Sequence, residues 1–257
     1  MTKYELRKKI TESKPVDKEK FIQGICTGKT VLDLGCIRHS ADFALADPNW
    51  LHKKIKSVAT KIVGIDYLPK EIEKLNAVGY EIIYADVTKP MELNETFDVI
   101  VAGDLIEHLV NFEGFFENCI RLLKPNGMLI ITTPNPFYAA EFHYVAFKCD
   151  YLINPEHTCW IDPQALSQLI DRFDCFIDEI YFIKNAWRLG DIVCNSEANE
   201  YDILNGKWPK NTFKDQVIRK IASLLFNIFY MLFKNITGSN AALVKYSDYL
   251  SVIKKRG

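Results

Sequence analysis

The sequence lacks paired cysteines and an excess of charge of either sign. Its seven cysteines are scattered along the chain, and no two of them form a CxxC pair. This spacing argues against a disulfide framework or a zinc ribbon, and it is typical of reduced thiols in the cytoplasm. Acidic residues number 33 and basic residues 32, so the overall charge does not favour a nucleic-acid partner.

The sequence also lacks an apolar run long enough to span a bilayer, and its polar, basic N-terminus has no signal-peptide core. The longest run, residues 221–233, would form a helix of about 20 Å, whereas a bilayer core is about 30 Å thick. We therefore expect a cytoplasmic chain. Basic residues flank this run, so segment 213–234 is either a core helix or a helix lying on the inner face of the membrane.

What the sequence does contain is an alternation of short β-rich runs and helical patterns, which predicts a parallel sheet with helices on both faces. The predicted strands are 30–34, 61–66, 80–85, 97–102, 127–133, 175–183 and 249–255. The predicted helices are 41–57, 69–77, 112–123 and 163–173. The predicted fold is a doubly wound, Rossmann-like α/β sheet of seven strands, mostly parallel with an antiparallel edge strand.

The length suits one decorated domain, residues 1–257. Its predicted core is 28–183, and within it residues 134–162 form an aromatic cap on the acceptor side. A helical insertion is predicted over 185–245, before the last strand at 249–255.

Small or acidic residues follow each of the first four predicted strands. They are Asp33 and Gly35, then Asp66, Asp86 and Gly103. Ligands bind beyond the carboxyl ends of the strands in such sheets, where an acid after the second strand can accept both hydroxyls of a ribose. Each acid alone is more often a helix cap or a turn residue. Together they predict a nucleoside-binding edge, at which Asp86 would accept from an adenine amine.

Five segments carry a resemblance to a known family. In chain order they are VLDLGC, VGIDYL, YADV, FDVIVAGDLIEHL and LLKPNGMLIITTPNP. With these segments, residues 28–183 resemble the class I S-adenosylmethionine-dependent methyltransferases, which implies S-adenosyl-L-methionine as the cofactor. The cofactor-binding residues that the resemblance implies are Asp33, Gly35 and Cys36 at the methionine end, Asp66 at the ribose, Tyr67, Asp86 and Val87 at the adenine, and Gly103 beneath the sulfonium.

The loop after the first strand departs from that family at Ile37 and His39, where glycine is usual. A dinucleotide loop needs bare backbone because a pyrophosphate must lie against a helix N-terminus, whereas S-adenosylmethionine has no phosphate. The departures therefore argue more strongly against a nicotinamide-dependent oxidoreductase than against an enzyme that uses S-adenosylmethionine. Arg38 and His39 either contact the methionine carboxylate or the acceptor, or form a solvent-exposed pair. A non-catalytic scaffold with this fold also stays open.

The acceptor side is rich in aromatic residues, which are either the core of the cap or platforms for a ligand. They are Phe137, Tyr138, Phe142, His143, Tyr144, Phe147, Tyr151, His157 and Trp160. The stretch NPEHTCWIDPQALSQLI resembles sugar-directed and quinone-directed O-methyltransferases and relatives that act on polysaccharide precursors. This implies O-methylation of a glycan or glycolipid in polysaccharide biosynthesis. A quinol or another small phenol is the second choice of acceptor.

The fourth segment also carries a candidate catalytic group. A helical turn there would place Asp104 beside Glu107 and His108. The three resemble the metal-binding cluster of ubiquinone-pathway and small-RNA O-methyltransferases, the latter having a later histidine as His157 would be. One interpretation is Mg²⁺ bound by Asp104, Glu107 and His108. Another is a metal-free base formed by His108 or His157 with Glu107. The third interpretation is a purely structural cluster. The sequence does not indicate the oligomeric state.

Overall fold

A computed structural model describes residues 2–139, 141, 154, 156–184, 242–256 and eight helical positions between 217 and 232. These residues contain one sheet of eight strands. The strands are β1 (Pro15–Val16), β2 (Thr30–Leu34), β3 (Lys61–Asp66), β4 (Ile82–Tyr84), β5 (Phe97–Gly103), β6 (Leu123–Pro134), β7 (Cys175–Ile183) and β8 (Asp248–Lys255). Their order across the sheet is β1-β7-β8-β6-β5-β2-β3-β4.

Helices lie between these strands. They are α1 (Lys3–Glu12), α2 (Lys18–Cys26), α3 (Ala41–Ala46), α4 (Leu51–Lys56), α5 (Pro69–Ala77), α6 (Phe112–Leu122), α7 (Pro163–Asp171) and α8 (Ala242–Lys245), with a 3₁₀ turn at Ile106–His108. The predicted helix 41–57 is two helices, because Pro48 has no N–H to donate and Asp47 instead accepts from the Asn49 N–H at 2.8 Å.

The doubly wound, mostly parallel α/β fold is confirmed, with two differences in detail. The two-residue strand β1 pairs with β7 and raises the count to eight; two residues are too few for a sequence pattern to reveal. The antiparallel strand, β8, lies inside the sheet between β6 and β7 rather than at its edge. Residues from Asp248 to Ile253 are all buried, as expected for a strand paired on both sides.

The order of the strands in the sheet determines where a ligand-binding site is expected. Strand β2 pairs in parallel with both β3 and β5, so the chain order reverses between β2 and β5. Ligands bind at such a switch point, beyond the carboxyl ends of the strands. The residues that follow Leu34 and those that follow Gly103 therefore lie side by side at one edge of the sheet.

Apolar residues on both faces of the strands hold this edge in place. Leu32 and Ile100 pack with Phe115 of α6 on one face of the sheet. Val31 and Val99 pack with side chains of α2 and α4 on the other face. Burying each such side chain stabilises the fold by about 1.5–3 kcal/mol. The strand ends are thus anchored in a core covered on both sides.

Some predictions fall on residues that the structure does not describe. Phe142, His143, Tyr144, Phe147, Tyr151 and most of the insertion 185–245 lie outside the described residues, so the domain boundaries stay a prediction. Cys26, Cys36, Cys119, Cys159 and Cys175 are free thiols. None of the described helices is both long enough and apolar enough to cross a membrane.

Candidate functional site

The loop after β2 turns at Gly35, whose φ of 66° favours glycine. The Gly35 N–H donates to the Ile65 carbonyl at 2.8 Å, and a Cβ at this position would lie 2.9 Å from Leu105 Cδ1. His39 has a φ of 57°, so a histidine adopts the left-handed conformation of the glycine it replaces, at a cost of about 1–2 kcal/mol. The loop therefore keeps a glycine-like turn at His39.

The exposed side chains of this loop have local partners. The Arg38 guanidinium donates to Asp47 at 2.5 Å, and the rings of His39 and Phe43 are 6.1 Å apart. His39 remains exposed. The role predicted for it at the methionine end of the cofactor stays a prediction.

Two residues at the start of α4 support the loop from inside the protein. The Asp33 carboxylate lies 2.8 Å from His52 Nδ1, and the side chains are 4% and 0% exposed. The Trp50 indole N–H donates to the carbonyl of Cys36 at 2.7 Å. The Cys36 thiol is buried, which raises its pKa. His52 and Trp50 are absent from the set that the sequence predicts, since no spacing pattern links them to the loop.

Asp66 ties the end of β3 to the same loop. Its Oδ2 accepts from the Ile37 N–H at 2.9 Å, and its Oδ1 accepts from the N–H groups of Tyr67 at 2.8 Å and Leu68 at 3.3 Å. Burial raises the pKa of Asp66, although these bonds oppose the rise. The Tyr67 side chain beside it is exposed. The residues predicted to bind the ribose and the adenine are thus neighbours at the β3 end.

The loop after β4 carries Asp86 and Val87. The exposed Asp86 accepts from the Thr88 hydroxyl and N–H at 2.7 and 3.0 Å, and these bonds lower its pKa. The buried Asn118 of α6 donates to the carbonyls of Val87 and Lys89 at 2.9 and 2.7 Å. Asn118 is another residue that the sequence analysis does not single out; a polar residue on the buried face of an amphipathic helix is the signal that marks it.

A cavity of about 380 Å³ adjoins this loop. Its lining includes the apolar side chains of Ile65 and Met91 together with Asp86. A flat aromatic base needs an apolar surface and a polar group at its edge, and this cavity offers both. Of the residues that the resemblance implies at the adenine, its lining contains Asp86 but not Tyr67 or Val87.

Asp104 lies outside the turn that carries Glu107 and His108. Its φ of 51° is left-handed rather than helical, and the 3₁₀ turn covers only Ile106–His108. The Thr132 hydroxyl donates to Asp104 Oδ1 at 2.6 Å, and the Lys18 ammonium donates to Oδ2. Partial desolvation would raise the pKa of Asp104, whose side chain is 45% exposed, but Lys18 and Thr132 outweigh it and the pKa is lowered. Asp104 is therefore an ionised, fully paired carboxylate.

Glu107, His108 and His157 do come together. One potential ligand atom from each lies within 4.8 Å of the others. The imidazole rings of the two histidines are 4.7 Å apart and nearly perpendicular. The N–H groups of Thr158 and Cys159 donate to the Glu107 carbonyl at 2.8 and 3.3 Å, which holds His157 against the 3₁₀ turn. We call Glu107, His108 and His157, the three residues that the sequence predicts to be catalytic, the catalytic group.

Burial sets the charges of the catalytic group. Glu107 is 2% exposed and accepts from the Thr133 hydroxyl at 3.0 Å. Burial, with a smaller contribution from Asp104, raises the pKa of Glu107 to about 8. Burial and the neighbouring His108 lower the pKa of His157 below its ordinary value of 6.5. At neutral pH the Glu107 carboxyl is therefore largely protonated, and the His157 imidazole is neutral and free to accept a proton.

The donor set of the catalytic group decides which metal it suits. One carboxylate and two imidazoles fit a divalent ion such as Mn²⁺, Fe²⁺ or Zn²⁺. Mg²⁺ prefers oxygen ligands in a regular octahedron. Because Asp104 is paired with Lys18, the described residues do not assemble an oxygen-rich set. The catalytic group thus fits the predicted Mg²⁺ poorly.

Known proteins resemble this chain over the same region. Residues 8–180 match the family model described as "Methyltransferase domain". A "Probable S-adenosylmethionine-dependent methyltransferase" of Mycolicibacterium smegmatis is 26% identical over 148 residues, covering 57% of this chain and 51% of the relative. A "Ubiquinone biosynthesis O-methyltransferase" of Rickettsia akari is 27% identical over 165 residues, covering 58% and 64%. The chain thus spans about half to two thirds of these relatives.

The fold is also found among solved structures. A SAM-dependent methyltransferase from Archaeoglobus fulgidus superposes with a TM-score of 0.51 at 18% identity, over 99% of this chain and 100% of that one. At this level of identity the likeness is one of fold.

Proposed function

Because this chain belongs to the methyltransferase domain family and has the class I S-adenosylmethionine-dependent methyltransferase fold, we propose that it transfers a methyl group from S-adenosylmethionine to a hydroxyl of a small molecule. The observation that carries the proposal is the catalytic group, Glu107, His108 and His157, at the carboxyl end of β5 and beside the switch point of the sheet. Family membership also sets aside the nicotinamide oxidoreductase.

In this proposal the cofactor lies along the carboxyl edge of the sheet. Asp66 holds the ribose, the cavity beside Asp86 takes the adenine, and the methionine end crosses Gly35. The sulfonium then lies over Gly103, at the end of β5. Its methyl group faces the segment that follows, where the catalytic group lies.

Methyl transfer to oxygen requires the acceptor to lose a proton. The oxygen–carbon bond forms as the carbon–sulfur bond breaks, and S-adenosylhomocysteine leaves as a neutral thioether. Neutral His157 accepts the hydroxyl proton, and His108 orients it through their ring contact. Glu107, largely protonated at neutral pH, adds no full negative charge beside the imidazole. The reaction in this form needs no metal ion.

A phenol or quinol is the acceptor that we propose, which reverses the order that the sequence suggests. A relative named for ubiquinone biosynthesis supports a small phenolic molecule, whereas no described feature is specific for a glycan. A phenol loses its proton near pH 10, so a single imidazole is an adequate base. Phe137 and Trp160, which are 48% and 37% exposed, offer surfaces on which an aromatic ring stacks.

A radiolabel assay tests the proposal. The purified chain is incubated with S-adenosylmethionine tritiated at the methyl group and with a catechol, a monophenol or an oligosaccharide. We expect label in the product of the catechol. Label in the oligosaccharide alone would restore the glycan acceptor. Binding of S-adenosylhomocysteine without transfer to any of the three would support the non-catalytic scaffold. Added chelator is expected to leave the rate unchanged.

A second proposal concerns where the enzyme works. The eight described positions between 217 and 232 are helical and follow a three- and four-residue spacing, and their apolar members are 39–61% exposed. These residues are Val217, Ile221, Leu224, Leu225, Ile228, Met231 and Leu232. Their spacing is that of one face of a helix, and Lys220, another described helical position, is exposed. We propose that this face lies on an anionic membrane surface, where a hydrophobic quinol would be found.

Flotation with liposomes tests this second proposal. The wild-type chain is expected to float with vesicles that contain phosphatidylglycerol. The double variant Leu224→Asp, Ile228→Asp is expected to stay in the soluble fraction with an unchanged melting temperature, because the two residues are 60% and 40% exposed. A wild-type chain that never floats would contradict membrane contact, and a large loss of melting temperature in the variant would indicate a core helix.

A further inference from the structure

Lys18 is a partly buried cation that the proposed reaction does not use. It is the first residue of α2, and its side chain is 20% exposed. Its ammonium donates to Asp104, which is 86 residues further along the chain and belongs to the segment that carries the catalytic group. With Thr132 on the other oxygen, Asp104 has a partner on each side of its carboxylate.

Asp104 lies close to the catalytic group without being part of it. Its charge contributes to the raised pKa of Glu107, and it also acts on His157. Its oxygens are nevertheless outside the set of ligand atoms that lie within 4.8 Å of one another. Two hydrogen bonds from the Asp104 N–H to Thr132, both 3.0 Å long, fix its backbone. Only a rotation of the side chain away from Lys18 would bring the carboxylate toward Glu107.

We infer that Lys18, by holding Asp104 out of the ligand set, weakens the binding of a divalent metal at the catalytic group. An acid at position 104 would add a hard oxygen ligand to the one carboxylate and two imidazoles of the group. Lys18 neutralises that acid and holds it away, and its own positive charge repels a second cation nearby.

Calorimetry with MnCl₂ and with MgCl₂, in the absence of cofactor and acceptor, tests this inference. Lys18→Met is expected to bind Mn²⁺ at least about tenfold more tightly than the wild type, or about 1.4 kcal/mol. Lys18→Arg keeps the charge and is expected to match the wild type. Adding Asp104→Asn to Lys18→Met is expected to abolish the gain, since the freed carboxylate is then missing.

Three results would overturn the inference. They are tight Mn²⁺ binding by the wild type, equal or weaker binding by Lys18→Met, and a gain that persists in the double variant. Lys18→Gln, which keeps a donor to Asp104 without the charge, serves if Lys18→Met does not fold, and it is expected to show a smaller gain. The titration needs no methyl transfer, so its failure leaves the proposed function standing, and a failure of methyl transfer leaves the titration interpretable.

Discussion

Replacing His157 by alanine is expected to lower kcat about 100-fold while the dissociation constant of S-adenosylhomocysteine stays unchanged, because a general base contributes about 10²–10⁴ to a rate. In the proposed mechanism the histidine accepts the proton of the acceptor hydroxyl and does not contact the cofactor. The matched control is His157→Gln, which keeps a polar side chain of similar reach but cannot take up the proton. It is expected to be as slow as His157→Ala.

The pH dependence of kcat gives the same residue a second signature. His157 works in its neutral form, so activity is lost as the pH falls through its pKa. Burial and His108 lower that pKa below 6.5, so the acid limb of the profile is expected below pH 6.5 and is expected to vanish in His157→Ala. An acid limb above pH 6.5, or full activity in Glu107→Ala, His108→Ala and His157→Ala alike, would contradict the assignment.

Replacing Asp66 by alanine is expected to weaken S-adenosylmethionine binding at least about 100-fold. The substitution removes two hydrogen bonds from the ribose hydroxyls to a charged acceptor, each worth about 1.5–3 kcal/mol. Calorimetry measures the change. An equal dissociation constant in the variant and the wild type would show that Asp66 does not bind the cofactor.

The control for Asp66 is another paired acid of the same sheet. Asp98 accepts from the N–H and hydroxyl of Thr30 at 2.9 and 2.7 Å, near the amino end of β5 and therefore away from the proposed cofactor. Asp98→Ala is expected to leave cofactor affinity unchanged. Because Asp66 also accepts from the Ile37 N–H, the melting temperature of each variant separates loss of affinity from loss of folding.

Much of the fold was predictable because buried parallel strands are continuous apolar runs. The bounds of β2, β3 and β7 agree with the prediction to the residue. The meeting of Asp66 and Asp86 at one edge follows from parallel pairing of β3 and β4. Strand β1 was not predictable, because two residues carry no periodicity. The interior place of β8 depends on pairing between segments distant in sequence.

The residues of the candidate site were predictable only where they are close in sequence or belong to a segment that resembles a family motif. Glu107 and His108 are adjacent, and His157 was expected from its motif. Asp104 is instead paired with Lys18, which no local spacing links to it. His52 and Asn118 were not predictable for the same reason, because they hold Asp33 and the loop after β4 through long-range hydrogen bonds. Such partners are fixed by tertiary packing.

A crystal structure of the chain with S-adenosylhomocysteine tests the account most directly. The measurement is the position of the cofactor sulfur relative to Gly103 and the catalytic group. The account predicts the ribose hydroxyls on Asp66 and the sulfur over Gly103, with open space before His157 for a hydroxyl oxygen about 3–3.5 Å from the methyl carbon. A cofactor bound elsewhere, or a sulfur turned away from Glu107, His108 and His157, would contradict it.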